Sequence, residues 1–303
     1  MPGQIGCSAI TTSRASPPAS ALRRVVDDYD ERVLIGEIYL PVERLVTYYG
    51  ADLDGVHLPF NFQLLQSEWN ARGLATLIEQ YEKALPHGGW PNWVLGNHDK
   101  PRIASRVGVD QARVAAMLLL TLRGTPTLYY GDELGMVNVP IPPERVQDPF
   151  EKNVPGIGVG RDPSRTPMQW APRANAGFSS AEPWLPISDD CSVVNVEVEE
   201  ADPTSILNLY RELLALRRRH DALSLGDYFS IAMTGDLLAY MRRAQDEAFL
   251  VALNLGAEPY AMSMLQMGLK GRVLLSTNLD RKDEMLGDDV VLRPNEGLLV
   301  ALV

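Results

Sequence analysis

The sequence predicts an α/β fold in which a parallel β-sheet built from βα units is followed by a small all-β domain. Over residues 21–222, short apolar runs typical of strands alternate with stretches of helical periodicity. From residue 223 onward only short β-like runs occur. The chain has 303 residues, of which 46% are hydrophobic and 22% are charged. That balance is typical of a soluble globular protein with one or two cores.

Charge and cysteine content exclude several classes of protein. The formal net charge is −11, the wrong sign for binding phosphate backbones or anionic membranes, so no nucleic-acid partner is expected. The longest apolar run, 117–122, is far shorter than the ~20 residues of a membrane span, so no membrane partner is expected. Cys7 and Cys191 form neither a disulfide framework nor a metal cage. We therefore expect a cytoplasmic protein that has no metal and no cofactor.

The first 20 residues are predicted to form a disordered arm. They are rich in Ser, Thr, Ala, Pro and Gly and contain no acidic residue. No apolar segment follows that would indicate a secretory signal. Residues 21–28 then have helical character.

Four strands are predicted in the first domain. Residues 32–40 form a compact apolar run of the type that is buried on both faces of a parallel sheet. The three other runs are shorter and bounded by turn residues: 56–62, 93–96 and 127–130. Apolar residues at i, i+3 and i+4 predict three helices between and after these strands: 74–85, 111–122 and 205–220.

The remaining chain divides into a long irregular region and a β domain. Residues 132–203 are rich in Pro, Gly and Asn and too long for a simple connector, so we expect this region to be functional. In the last domain, 223–303, short β-like runs predict a sandwich: 228–233, 237–241, 249–253, 272–275 and 297–303.

Glu37 is the first candidate for a role in chemistry. Polar residues near the ends of buried parallel strands are candidates because the loops at that edge carry the site in βα folds. Desolvation inside an apolar strand favours the protonated form of Glu37, which makes it a usable general acid. A structural glutamate paired with an arginine is the alternative interpretation.

Asn97, His98 and Asp99 follow the third predicted strand directly. Three polar side chains in a row at a strand end can bind the vicinal hydroxyls of a sugar. An ordinary turn with an Asx cap is the alternative. Asp132 and Glu133 also follow a strand, and for these two the pattern favours capping of the next turn.

A third cluster lies in the long irregular region. Arg161 and Arg165 are followed by three aromatic residues, Trp170, Phe178 and Trp184. Aromatic side chains beside Arg and Asn are typical of carbohydrate sites, because sugar faces are apolar and sugar edges are polar. An exposed turn held by aromatic packing is the alternative interpretation. For Trp184 the two interpretations have equal weight, whereas the arginine-rich part favours a carbohydrate site.

These motifs, in this order, resemble the α-amylase superfamily, specifically its α-glucosidase and oligo-1,6-glucosidase subgroup. Four segments carry the resemblance, to the fifth, seventh and eighth strand motifs and to the loop that binds the terminal glucose: 34–41, 94–102, 124–135 and 161–170. The similarity runs from about Ala21 to the carboxyl terminus. It implies the C-terminal half of a (β/α)8 TIM barrel over 21–222, strands 5 to 8, followed by a β-sandwich over 223–303.

The resemblance also implies a reaction, the retaining hydrolysis of terminal α-glucosidic bonds in oligosaccharides. Glu37 would be the general acid/base, and Asp99 would stabilise the oxocarbenium-like transition state. The residues expected to bind the glucoside are Asn97, His98, Arg161 and Arg165.

The sequence departs from the family upstream of Glu37. Only some 30 residues precede the first strand, and none of them matches the fourth-strand motif that holds the nucleophile. A retaining enzyme needs that second carboxylate about 5 Å from the acid, so the nucleophile is predicted to be absent. Asp132 and Glu133 lie on the wrong strand to replace it. We therefore expect a truncated chain that is inactive alone and that self-associates through the exposed edges of half a barrel.

Several alternatives stay open at this point. A non-catalytic ancillary subunit and a glucan-binding fragment are the non-enzymatic ones. A transglucosidase or sucrose isomerase is the nearest enzymatic one, because both start from the same glucosyl intermediate. Both α-1,4 and α-1,6 linkages remain candidates, as do a genuine truncation and a wrongly assigned gene start.

Overall fold

The computed structural model describes residues 17–303, so most of the predicted disordered arm lies outside the described residues. The last four residues of the predicted arm, 17–20, are not disordered, because the first helix already begins at Pro17. Proline fits the first turn of a helix, where its missing N–H would have had no partner. Ala19, in the part of the helix that precedes the predicted start at residue 21, is buried.

In the described chain, helices separate the first four strands, and the last eight strands follow one another without a helix between them. The helices are α1 (Pro17–Asp27), α2 (Val42–Leu45), α3 (Gln63–Gln66), α4 (Ala71–Ala84), α5 (Ile103–Val107), α6 (Val109–Thr121), α7 (Pro149–Asn153), α8 (Val196–Ala201), α9 (Ile206–Arg219) and α10 (Asp221–Ser224). The strands are β1 (Ile35–Gly36), β2 (Leu58–Pro59), β3 (Asn92–Val94), β4 (Thr125–Thr127), β5 (Asp227–Thr234), β6 (Leu237–Ala244), β7 (Glu247–Asn254), β8 (Tyr260–Ser263), β9 (Gly271–Ser276), β10 (Met285–Leu286), β11 (Asp289–Leu292) and β12 (Gly297–Leu302).

The first four strands are parallel and follow one another in chain order. β1 pairs with β2, and β3 pairs with β4. A parallel bridge between Asn61 and Trp93 connects the two pairs. Helices connect the strands, as expected for βα units. The carboxyl ends of all four strands therefore meet at one edge.

The prediction that 32–40 is a strand buried on both faces is wrong. Only two residues of it form β1, and Ile35 is 50% exposed. Val33 and Tyr39 are exposed as well. Within 17–303 no strand pairs with the outer edge of β1, so nothing covers the apolar side chains there.

The main core lies between the parallel strands, their helices and the β domain. Trp93 of β3 and Ile78 of α4 are completely buried. Helix α6 is buried on nearly all sides because it contacts α9 on one flank and strands β7 and β12 on another. Arg217 fixes this arrangement by donating to the backbone oxygens of Leu120 and Leu122 at the end of α6.

The β domain has a six-stranded antiparallel sheet in the order β10-β9-β12-β7-β6-β5. A two-stranded sheet, β11-β8, packs over it, and Leu250, Met262 and Val290 belong to the apolar core between them. Strands β8, β10 and β11 are not predicted from the sequence, and they have only two to four residues each. Runs that short carry little periodic signal.

The long region 132–203 consists of irregular backbone with short helical turns and α7 and α8. In the described part of the chain, none of the helices has the length and apolar character needed to cross a membrane.

Candidate active site at the carboxyl ends of the parallel strands

Asp99 is the centre of a polar cluster just beyond the end of β3. Its Oδ1 accepts hydrogen bonds from Arg161 Nη1 at 3.0 Å and from Arg165 Nη2 at 2.9 Å. His98 Nε2 lies 3.4 Å from the same oxygen. No donor among the described residues bonds to Oδ2, and the side chain is one-quarter exposed. The structure thus brings together His98, Asp99 and both arginines, which lie in two separate sequence motifs, 94–102 and 161–170.

Asp148 holds Arg161 in place, and sequence reasoning missed it. Its carboxylate is fully buried and accepts hydrogen bonds from Arg161 at the backbone N, Nε and Nη2, at 2.7, 2.8 and 2.9 Å. Hydrogen bonds from the Arg161 side chain, above all, hold the pKa of Asp148 well below its usual range. With these donors used, Nη1 is left to reach Asp99. Asp148 follows no strand, so the search for polar residues at strand ends could not find it.

Tyr39 connects the first and second sequence clusters, another role that the sequence analysis did not assign. Its hydroxyl accepts a hydrogen bond from Asn97 Nδ2 at 2.8 Å, and its ring stacks on Phe62. Burial is the chief cause that raises the pKa of Tyr39, and the nearby carboxylates of Asp99 and Glu37 raise it further. Both carboxylates therefore act electrostatically on one hydroxyl group.

Glu37 itself differs from both interpretations offered by the sequence. It is exposed, so the desolvation expected inside a buried strand is absent. The alternative, a structural pair with an arginine, is absent too, because no ion pair involving Glu37 occurs in residues 17–303. The physical reason is that Glu37 follows β1, whose outer edge has no neighbouring strand in that range.

The two acidic residues after β4 behave differently from each other. Glu133 accepts a hydrogen bond from the Gly131 backbone at 2.7 Å, which is the local capping role that the sequence favoured. Asp132 is buried, and its Oδ1 has no hydrogen-bond partner among the described residues. Burial raises the pKa of Asp132 to about 7, although Arg102 opposes the rise. Asp132 Oδ2 lies so close to Gly96 that a Cβ there would be 2.6 Å away.

The aromatic residues of the third cluster are not part of this constellation. Trp170, Phe178 and Trp184 are all exposed, and none forms an aromatic pair or a cation–π contact within the described chain. A cavity of about 620 Å³ lies beside the same region, lined in part by Glu151 and Gly160. None of the side chains that contact Asp99 lines it. Nor do the described residues contain a group of three or more His, Cys, Asp or Glu placed to hold a metal.

Comparison with known proteins places this arrangement in a family. The model of the α-amylase catalytic domain matches residues 14–226. Maltase A1 of Drosophila melanogaster is 33% identical over 302 residues, covering 93% of this chain and 52% of the relative. The human amino acid transporter heavy chain SLC3A1 is 33% identical over 295 residues, covering 92% of this chain and 42% of the relative.

A solved structure, the trehalulose synthase MutB from Pseudomonas mesoacidophila MX-45, is similar with a TM-score of 0.84 and 27% identity. The match covers 94% of this chain and 58% of that one. The chain thus spans about half the length of the relatives that it matches. The resemblance inferred from the motifs is confirmed, as is an α/β fold with a C-terminal β-sheet domain. This chain belongs to the α-amylase catalytic-domain family.

Proposed function

We propose that this chain carries the acid/base and glucose-binding part of an α-glucosidase-type site that hydrolyses terminal α-glucosidic bonds in oligosaccharides. The observation that carries the proposal is the convergence of Arg161 and Arg165 on one oxygen of Asp99, at the carboxyl edge of parallel strands. A carboxylate with its second oxygen free can accept a sugar hydroxyl, and guanidinium groups supply fixed donors beside it. The likeness to a maltase agrees with this chemistry.

Each side chain has a role in this proposal. Asp99 binds the glucose hydroxyls and stabilises the positive charge that develops on the sugar in the transition state. Glu37 gives its proton to the glycosidic oxygen as the bond to glucose breaks, and later takes one from the attacking water. Donors and acceptors to the glucose ring come from the residues around Asp99: Asn97, His98, Arg161 and Arg165.

The proposal includes a division of the chain. Residues 21–222 correspond to strands 5 to 8 of a (β/α)8 barrel, and 223–303 form the β-sandwich domain. The support is that four parallel strands occur in chain order, while β1 and β4 have no partner on their outer edges within 17–303. Exposed apolar side chains lie at both edges, among them Ile35, Leu128 and Tyr130. We propose that copies of the chain self-associate through these edges.

We also propose that these 303 residues do not hydrolyse glucosides by themselves. A retaining mechanism needs a nucleophilic carboxylate about 5 Å from the acid. Neither carboxylate after β4 offers a free ionised group for this role, since Asp132 is buried against Gly96 and Glu133 bonds to the Gly131 backbone. Losing the nucleophile removes most of the rate acceleration and leaves the binding contacts in place.

Titration calorimetry with maltose and isomaltose, together with release of p-nitrophenol from its α-glucoside, tests both parts. We expect sugar binding without turnover, and Asp99→Asn should weaken binding by about tenfold or more, because hydrogen bonds to a charged group are lost. Asp280→Asn is the matched control, since Asp280 also pairs with an arginine but in the β domain. Turnover at enzymatic rates would refute the inactivity, and equal affinity in all three proteins would refute the sugar site.

A non-catalytic role is the second candidate. It is favoured by the similarity to a transporter heavy chain and by Glu37, which is exposed and forms no ion pair with another residue of 17–303. Such a protein would need no glucose subsite. Calorimetry that detects no binding of maltose or isomaltose to the wild-type chain would support this candidate over the first.

A further inference from the structure

Arg102 lies three residues after Asp99 and is completely buried. Its Nη1 donates to the backbone oxygen of Tyr130 at 2.5 Å. The guanidinium carbon lies 5.1 Å from the centre of the Tyr129 ring and 4.7 Å from that of Tyr130. The cation–π attraction to two aromatic rings and one hydrogen bond therefore both hold the guanidinium group of Arg102.

The two tyrosines that Arg102 contacts are hydrogen-bonded to the loop that carries Arg165. Tyr129 donates its hydroxyl to the backbone oxygen of Ser164 at 3.0 Å, and Tyr130 donates to that of Thr166 at 2.6 Å. The rings also pack edge to face against each other. The hydroxyl groups therefore hold the backbone immediately before and immediately after Arg165.

Arg165 contacts His98 and Asp99, which lie just before Arg102 in the chain. Its Nε donates to the backbone oxygen of His98 at 2.8 Å, and its Nη2 donates to Asp99 at 2.9 Å. An arginine side chain has many rotamers, and ordering it at a binding site costs free energy. Fixing the backbone on both sides restricts where the guanidinium can lie.

We propose that Arg102, Tyr129 and Tyr130 are positioning residues for Arg165 and thereby set the affinity of the sugar subsite at Asp99. None of the three hydrogen-bonds to Asp99, whereas the two tyrosine hydroxyls bond to the backbone on either side of Arg165. The part of this inference that concerns sugar affinity rests on the proposed function of Asp99 and Arg165. The part that concerns the position of the guanidinium does not.

Removing one hydroxyl at a time tests the first part. We expect Tyr129→Phe and Tyr130→Phe each to weaken maltose binding about fivefold, the usual net effect of one hydrogen bond. Tyr240→Phe is the matched control. The Tyr240 hydroxyl is also buried, but it bonds to Thr121 and not to the loop that carries Arg165. The control should lower the melting temperature without changing maltose affinity.

A double-mutant cycle with Arg165→Met separates positioning from general structural support. If Tyr130 acts through Arg165, Tyr130→Phe should cost no further affinity once Arg165 is replaced. An undiminished fivefold loss in the Arg165→Met background would overturn the proposal.

A second readout does not need sugar binding. The Nε–H of Arg165 should exchange slowly with solvent in the wild-type chain and in Tyr240→Phe, as followed by nitrogen-15 NMR with Arg165→Lys to assign the signal. In the Tyr129→Phe/Tyr130→Phe chain we expect exchange at least tenfold faster. Unchanged exchange overturns the positioning role whether or not maltose binds. Faster exchange in a chain that binds no maltose supports positioning and rejects the sugar-binding function.

Discussion

Replacing Asp132 with asparagine should remove about 2 kcal/mol of the change in the free energy of unfolding between pH 5 and pH 7. The pKa of Asp132 is raised to about 7 by burial, whereas an aspartate in an unfolded chain titrates near 4. Between these values the folded chain holds a proton that the unfolded chain has lost. The contribution of Asp132 to the free energy of unfolding is therefore fully present below pH ~4 and is lost as the pH rises through about 7.

The magnitude follows from proton linkage. One proton held only by the folded state changes the free energy of unfolding by about 1.4 kcal/mol per pH unit. Because Asp132 is half-titrated at pH 7, its contribution to the free energy of unfolding falls by about 2 kcal/mol between pH 5 and pH 7. Burial also raises the pKa of Glu199 to about 7, so that carboxyl group contributes a similar loss. The sum of about 4 kcal/mol is large against the 5–15 kcal/mol typical of a folded protein.

Urea unfolding at pH 5, 6 and 7 measures the effect. We expect the change in unfolding free energy between pH 5 and pH 7 to be about 2 kcal/mol smaller in Asp132→Asn and in Glu199→Gln than in the wild-type chain, because neither amide titrates. Asp280→Asn is the control: Arg293 lowers the pKa of Asp280 to about 2, so Asp280 is ionised throughout this range in both states. The control should shift stability by a constant amount. A wild-type slope in Asp132→Asn would show that Asp132 is ionised in the folded chain and would refute the reasoning.

Two further substitutions test the packing around the site and the core. Gly96→Ala should destabilise the chain by about 1–3 kcal/mol, because the new Cβ would lie 2.6 Å from Asp132 Oδ2, whereas Gly287→Ala meets no atom within 4 Å. Equal urea midpoints for these two variants would contradict the close approach at Gly96. Arg217→Met should cost about 3 kcal/mol, because it leaves buried carbonyl oxygens at the end of α6 without donors. The exposed Arg211→Met should change thermal unfolding little, and a similar loss in both arginine variants would count against this explanation.

Local periodicity was enough to predict the long helices. The predicted 74–85 and 205–220 correspond to α4 (Ala71–Ala84) and α9 (Ile206–Arg219), within three residues at each end. A helix that buries one face repeats its apolar residues every three or four positions, so the signal is contained in the segment itself. Strands of two or three residues contain no such repeat, and their bounds follow from which neighbour supplies the hydrogen bonds.

The candidate site was predictable in part for the same reason. Asn97, His98 and Asp99 could be recognised because they follow a strand directly, and parallel strands end at a common edge. Asp148 and Tyr39 could not, since their importance comes from contacts with Arg161 and Asn97, which lie elsewhere in the chain.

The sequence by itself determined the family, the order of the parallel strands, the three longest helices and the segments that carry Glu37, Asp99 and Arg165. These depend on short motifs and on periodicity within single segments. Only the tertiary structure decided that both arginines share one oxygen of Asp99, that Asp148 is buried beneath one of them, and that Glu37 is exposed. Burial and hydrogen-bond partners are properties of distant segments brought together by folding, and no local pattern of residues specifies them.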